Sequence, residues 1–469
     1  MENKLTKKYG LITAICMVVG IVIGSGVFFK AQTILQKTGG DMPLGILAWV
    51  IGGFIMLACV LAFCGMAQKY EKVNGVVDYA EATVGGRYAY LVGWFMTTIY
   101  YPTLTVALSW LSARYTLVFL QSVAPNFPLL GLGGNLEGAG VEALMGPECM
   151  VLMMVYLVCS YAVNALSPKL AGIFQVSTTI IKLIPLFLMA IVGIIVGLVN
   201  GTLANNFSTV ATGYEVQGSP LLGAVCATAF AYEGWIIATS INSELRDSKK
   251  NLPRALSIGG IIIIATYIAY YVGVAGGATN QVLADQGATT AFTNVFGRVF
   301  GNILNLFIAV SCMGTMNGLM LGCCRGMYSL AARRQGPAPE TFGQVDQKTN
   351  SATNSSIIGL VFCVFWGMYF ALSNLFGTWS GVFVFDPTEL PIITIYALYI
   401  PIFIAWIIRA RDESFSKRFL FPVLAIVGSL FMVYACINAH GIGCVWYLIV
   451  FAVIMAIGLL FMRKGEMEN

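Results

Sequence analysis

Two short strings in this chain place helix-breaking and polar residues inside long apolar runs. Gly24-Ser25-Gly26 sits amid Val22, Ile23, Val27, Phe28 and Phe29, and Phe230-Ala231-Tyr232-Glu233-Gly234-Trp235 carries a carboxylate into a second run. A break in an apolar helix frees backbone groups that water would otherwise satisfy. The half-helix starting after Gly24-Ser25-Gly26 would offer unpaired N–H groups and a positive dipole end, which suit an anion. Carbonyls freed at Ile23, Phe230 and Ala231 would suit a cation, and glycine lets a ligand approach the backbone closely. Lys182 is a third signal. It lies about twelve residues into another apolar run, roughly 18 Å along a helix. An ionisable group at that depth is read as functional and as facing a protein interior; a purely structural pairing is the alternative.

These residues need elements to hold them, and composition says which solvent those elements meet. Of 469 residues, 58% are apolar and 10% charged, and the mean hydropathy is +0.82. Soluble domains carry roughly 25% charged residues, so too few charges are present to cover a water-soluble surface, and the bilayer must be the main solvent. A spanning helix takes about 20 mostly apolar residues. On that basis spans are expected at roughly 10–36, 43–67, 87–120, 148–166, 171–200, 218–241, 255–278, 297–333, 355–373, 387–408, 418–438 and 443–462, about twelve in all. Gly39-Gly40, Gly85-Gly86, Gly133-Gly134 and Gly201 punctuate the connections. The run after Lys4, Lys7 and Lys8 continues past Phe29 without a small-residue cleavage site, so it reads as a first span rather than a removed signal.

The charges sort by side. If the first residues lie inside, one face collects Lys69, Lys72, Arg87, Lys169, Arg246, Lys249, Lys250, Arg254, Arg333, Arg334, Lys348, Arg409, Arg411, Lys417, Arg418, Arg463 and Lys464, while the other receives little beyond Lys37 and Arg298. By the positive-inside rule both termini are expected in the cytoplasm. The same asymmetry accounts for the net charge of +5 without a nucleic-acid partner. Twelve cysteines are scattered through apolar runs with no Cys-x-x-Cys pair, and the single histidine, His440, has no neighbour in sequence that would form a metal motif. Small buried apolar residues are the expected reading, with no metal and no cofactor. Glu389 is expected at the outer start of span ten and partly solvated, and Arg114 deep in span three beside an unidentified carboxylate.

The breaks fall in spans one and six, so five spans separate equivalent positions. That spacing suits a five-plus-five inverted repeat with substrate between two discontinuous helices. The expected fold is thus an all-α membrane protein with broken helices 1 and 6 in a single domain over 1–469. The first repeat would cover about 10–200, the second about 218–408, and two extra helices about 418–462. Glycines that merely let helices pack closely are the competing explanation.

Gly20-Ile21-Val22-Ile23-Gly24-Ser25-Gly26-Val27-Phe28 resembles the G-x-x-I-G-[SA]-G-I-F string of the amino acid–polyamine–organocation superfamily. Phe230 to Trp235, with Ser243-Glu244-Leu245-Arg246 and Asn251-Leu252-Pro253-Arg254, is similar to the pattern of its L-type amino acid transporter branch, which includes bacterial serine/threonine and alanine-serine-cysteine exchangers. Pro102 and the Arg325-x-x-Tyr328 pair fit it as well. The likeness covers spans one to eight. The chain departs from the pattern at Ser243, where a second acid is usual, at Ser248, where a proline is usual, and in residues 68–75, which lack the usual proline and paired glycine.

The resemblance implies an amino acid as ligand, whose carboxylate and ammonium match the two kinds of freed backbone group. Ile23, Gly24, Ser25, Gly26, Phe230, Ala231, Tyr232, Glu233, Gly234 and Trp235 become the expected substrate-binding set, with Tyr232 and Trp235 walling the pocket or simply packing. It also implies that Lys182 acts as a built-in cation in place of the sodium of coupled relatives, tethering spans one and eight. Glu233 keeps three open roles: selecting cationic side chains, coupling protons, or hydrogen-bonding the freed backbone. Exchange of small neutral amino acids at a bacterial cell membrane is the expected activity; proton symport or uniport, of cationic substrates among others, is the alternative. A disulfide-linked heavy subunit is not expected, because residues 121–148 hold no cysteine before Cys149, and a monomer is. An enzyme is disfavoured by the lack of a phosphate loop or histidine-containing metal motif, a channel by the lack of a filter-like repeat, and a sensor by the short loops.

Overall fold

The computed structural model describes residues 10–24, 26–70, 75–124, 147–214, 218–238, 245–346, 351–375, 379 and 381–463. The described residues are almost entirely helical, and their only bridge of β type joins Asp346 to Ser351. Among the described residues, ten helices are long and apolar enough to cross a bilayer. In chain order they are α3 (Met42–Lys69), α5 (Gly86–Val123), α6 (Glu148–Leu166), α7 (Leu170–Val199), α11 (Ser248–Gly277), α14 (Arg298–Ala331), α15 (Thr353–Ser373), α16 (Leu390–Arg409), α17 (Ser416–His440) and α18 (Ile442–Leu460).

The two remaining expected spans are interrupted. The first divides into α1 (Leu11–Val22) and α2 (Gly26–Lys37), and the sixth into α9 (Pro220–Tyr232) and α10 (Trp235–Ala238). Each break has a backbone cause. Ile23 turns extended at φ −67°, ψ 93° and ends α1. Glu233 is likewise extended at φ −75°, ψ 162°, and Gly234 follows at φ +102°, a conformation open to glycine but strained for other residues.

Short helices cap the connections: α4 (Val76–Thr83), α8 (Thr202–Ser208), α12 (Asn280–Gln286) and α13 (Ala288–Phe296). None of these has the length or the apolar run that marks a span, so hydropathy alone does not reveal them. The α3 start is set by Asp41, whose carboxylate accepts from the Leu44 N–H at 2.9 Å, a cap worth about 1 kcal/mol. Asn206 of α8 donates to the carbonyls of Ala275 and Ala278 at 2.7 and 2.8 Å, closing the end of α11.

Close approach by small residues packs the bundle, as expected where lipid removes most of the hydrophobic drive. A Cβ on Gly273 would stand 2.2 Å from the Met189 carbonyl oxygen, so α7 and α11 touch backbone to backbone. On the periphery, Val151, Val155, Ile180, Ile191, Val427, Leu448 and Val453 are exposed, and α18 buries only 17% of its most apolar window. Such a surface needs a lipid partner. At the basic face Arg333 pairs with Asp78 of α4 at 2.5 Å and Lys69 with Asp412 at 2.8 Å.

Candidate functional site

The two breaks touch. A Cβ on Gly26 would come within 2.8 Å of the Ala231 Cα, so nothing larger than hydrogen fits without separating α2 from α9. A Cβ on Gly24 would meet the Thr315 hydroxyl of α14 at 2.9 Å. Tyr267 of α11 ties the breaks together: its buried hydroxyl lies 3.0 Å from the Val22 carbonyl and 2.8 Å from the Ala231 carbonyl. Nothing in the local sequence of α11 pointed to this residue. An aromatic in an apolar helix carries no signal until its partner is known.

A cavity of about 290 Å³ opens beside the breaks. Val22, Gly24, Gly26, Phe230, Ala231, Glu233 and Gly234 line it, with Tyr100, Thr315 and Ile392 from three other helices. It continues past Asn164, Gln175 and Arg325. Those residues lie near the ends of α6 and α14 and the start of α7, where Arg333 and Arg334 also lie. The free N–H groups of the first α2 turn and the extended backbone at Glu233 therefore reach the same space.

Glu233 is the most polar group on that wall. Tyr100 of α5 donates its hydroxyl to Oε1, while Oε2, also buried, has no hydrogen-bond partner. A buried carboxylate oxygen in that state is costly unless something meets it. Phe230 lines both this cavity and a second one of about 530 Å³. The second cavity is bounded by Gln32, Gln36, Arg114, Asp285 and Asp386. Phe230 packs edge-on against Phe29 with ring centroids 5.3 Å apart, and the Lys30 ammonium stands 5.5 Å from its ring centre. Lys30 of α2 also pairs with Glu389 at the start of α16.

The structure brings together Gly24, Gly26, Phe230, Ala231, Glu233 and Gly234 but not the rest of the expected set. Tyr232 and Trp235 do not line the cavity. Tyr232 is two residues from Phe230, about 200° around the helix, so it faces α3 and donates to the Trp49 carbonyl at 2.9 Å. Trp235 packs with Phe63 and Tyr399. Ile23 is fully buried and serves as the end of α1. Ser25 and Ser243 lie outside the described residues, as do Lys4, Lys7, Lys8 and most of the 121–148 loop.

Lys182 is fully buried, and its ammonium donates to the Gly20 carbonyl of α1 at 2.6 Å. Beside it, a Cβ on Gly20 would meet Thr179 at 2.3 Å, so α1 and α7 are in tight contact at this point. Glu389, expected to be partly solvated, is buried, because Lys30 and His440 both reach it. Arg114 stacks over Trp110 at 5.2 Å.

The sequence profile of an amino acid permease family matches residues 9–459. The chain belongs to that amino acid permease family. This permease is 27% identical to the serine/threonine exchanger SteT of Bacillus subtilis, with 94% of each chain covered. It is 26% identical to the mouse Asc-type amino acid transporter 1 over 73% of its own length and 61% of that protein. With the human cystine/glutamate transporter the figures are 23%, 76% and 66%. Among solved structures it resembles MhsT in complex with L-phenylalanine, with a TM-score of 0.56 and 13% identity over 96% of this permease and 100% of that chain. That likeness establishes the fold. Family and fold together make this permease a multi-pass membrane protein of amino acid transport and not an enzyme.

Proposed function

We propose that this permease exchanges small neutral L-amino acids across the cell membrane by alternating access. The observation that carries the reading is the contact of two helix breaks, at Gly24–Gly26 and Phe230–Gly234, on the wall of one 290 Å³ cavity. The first α2 turn supplies N–H donors for the substrate carboxylate, and the extended backbone around Ala231 to Gly234 supplies acceptors for the ammonium. The size is at the small end of ligand pockets, which favours serine, threonine or alanine over aromatic substrates. Exchange is supported by SteT, which is named an exchanger and matches over nearly the whole length. Residues 10–200 and 218–408 act as inverted repeats, and the basic face is cytoplasmic. Lys182, bonded to Gly20, holds α1 against α7 as a fixed cation and leaves no need for sodium there.

Proton-coupled uptake is the second reading, and one feature favours it: the unpartnered Glu233 Oε2 on the cavity wall. Purified permease in liposomes separates the two. Labelled serine should enter vesicles preloaded with unlabelled serine and stay out of empty ones. Equal uptake into empty vesicles would replace exchange with symport or uniport, and no uptake in either would overturn the small-neutral substrate.

A further inference from the structure

Outside the cavity, thiols from two helices converge on the chain's single histidine, with a third thiol beside one of them. Cys226 lies on α9, Cys436 and His440 on α17, and Cys444 at the start of α18. The ligand atoms of Cys226, Cys436 and His440 all lie within 4.8 Å of one another. The Cys436 and Cys444 sulfurs are 3.9 Å apart. Ligand atoms around a tetrahedral zinc stand roughly 3.5–3.8 Å apart, so the atoms of Cys226, Cys436 and His440 need to draw in by little more than about 1 Å at most. The cysteines are buried, whereas the His440 side chain keeps 16% exposure and gives an ion a way in.

A carboxylate sits against the imidazole and one thiol: Glu389 Oε2 is 2.9 Å from His440 Nε2 and 3.6 Å from the Cys226 sulfur. Carboxylates in that position orient metal-bound histidines. Asp386, Glu389 and His440 also converge, which would suit a harder cation. Lys30 already engages Glu389 through its other oxygen, however. The charge an oxygen-ligated ion would need is therefore taken, and the thiols and imidazole remain.

We propose that Cys226, Cys436 and His440 form a binding site for a soft divalent cation of the Zn²⁺ class. Thiolate and imidazole together select such ions over Mg²⁺ or Ca²⁺. Each thiol that ligates gives its proton to solvent, so binding tightens as pH rises. The ion would clamp α9, which carries Phe230 and Ala231, to α17. Slowing of transport by the ion is a consequence that rests on the exchange reading; the binding itself does not.

The test reads binding directly. Full-length permease in detergent, reduced and stripped with a chelator, is titrated with Cd²⁺ while thiolate-to-metal absorption is followed in the ultraviolet, with Zn²⁺ as competitor. One Cd²⁺ per chain is expected, displaced by Zn²⁺ and not by Mg²⁺. His440→Ala and Cys436→Ser should each weaken binding by more than about 100-fold, and Glu389→Gln by about 10–100-fold as an outer partner. Cys323→Ser, which alters the separate thiol contact with Cys363 at 3.7 Å, should leave the titration unchanged. If Cys436→Ser elutes as aggregate, His440→Ala at the exposed edge carries the test. Absent absorption, or wild-type affinity in His440→Ala, would overturn the site. Equal loss in Cys323→Ser would move the metal elsewhere and overturn it as well.

Discussion

Replacing Gly26 tests the contact between the two breaks. In Gly26→Ala the new methyl would stand 2.8 Å from the Ala231 Cα, against an ordinary carbon–carbon contact of about 3.5–4.0 Å. The overlap of roughly 0.7–1.2 Å cannot be absorbed by a rotamer, because the obstacle is backbone. Ala231 cannot retreat freely either, since its carbonyl is tied to Tyr267 at 2.8 Å. Overpacking of this kind costs about 1–3 kcal/mol, a factor of about 5–150 in an equilibrium. That cost falls where the α2 N–H donors face the Ala231–Gly234 acceptors. Serine exchange into preloaded vesicles should therefore lose affinity by a factor in that range for Gly26→Ala and vanish for Gly26→Val. Both variants should still insert, because the apolar length of α2 is unchanged, and surface labelling with gel filtration checks that. Wild-type exchange by Gly26→Val at equal membrane content would refute the contact as a functional feature.

Three further substitutions probe the neighbours. Lys182→Ala removes the donor to the buried Gly20 carbonyl at 2.6 Å, a loss of about 1–3 kcal/mol, and should slow exchange by a factor of about 5–150; a wild-type rate would leave Lys182 without a role in turnover. Glu233→Gln keeps an acceptor for Tyr100 and exchanges one hydrogen bond for another worth about 1 kcal/mol less at most. Serine exchange should stay within roughly fivefold of wild type, and its loss would favour proton coupling. Tyr267→Phe strips the hydroxyl from the Val22 and Ala231 carbonyls, at about 1 kcal/mol. Thermal melting and serine affinity should both fall, and if neither moves the tie is not one that holds the site.

The parts of the molecule that were legible in advance are those written in local composition. Span positions follow from apolar runs and charge spacing, and the breaks follow from glycines and a carboxylate where no soluble contact could satisfy them. Side-chain direction was harder to read. Tyr232 and Trp235 sit in the right string, yet the turn of α9 and the onset of α10 send both away from the cavity. Tyr267, Tyr100 and Thr315 reach the site from helices whose own sequences read as plain packing. His440 looked isolated because its partners, Glu389 and Cys226, are 51 and 214 residues away in the chain. Such convergence depends on how helices are arranged, and composition does not carry it.

The site also constrains what must move. Phe230 stands between the smaller cavity, which runs toward the basic end, and the larger one beyond it. A substrate passing between them needs the Phe29–Phe230 contact to part, and Lys30 covers the same ring while paired with Glu389. Separating this buried ion pair would leave the Lys30 ammonium without its carboxylate in a dry medium, which is costly, while Glu389 keeps His440 at 2.9 Å. The larger cavity offers relief, since Gln32, Gln36, Asp285 and Asp386 line it with polar groups able to bind water that enters. Opening on that side is therefore cheapest when water enters first and solvates Lys30 and Glu389 as they separate. On this reading the rate of opening depends on hydration of the larger cavity, and the aromatic contact beneath it needs only to follow.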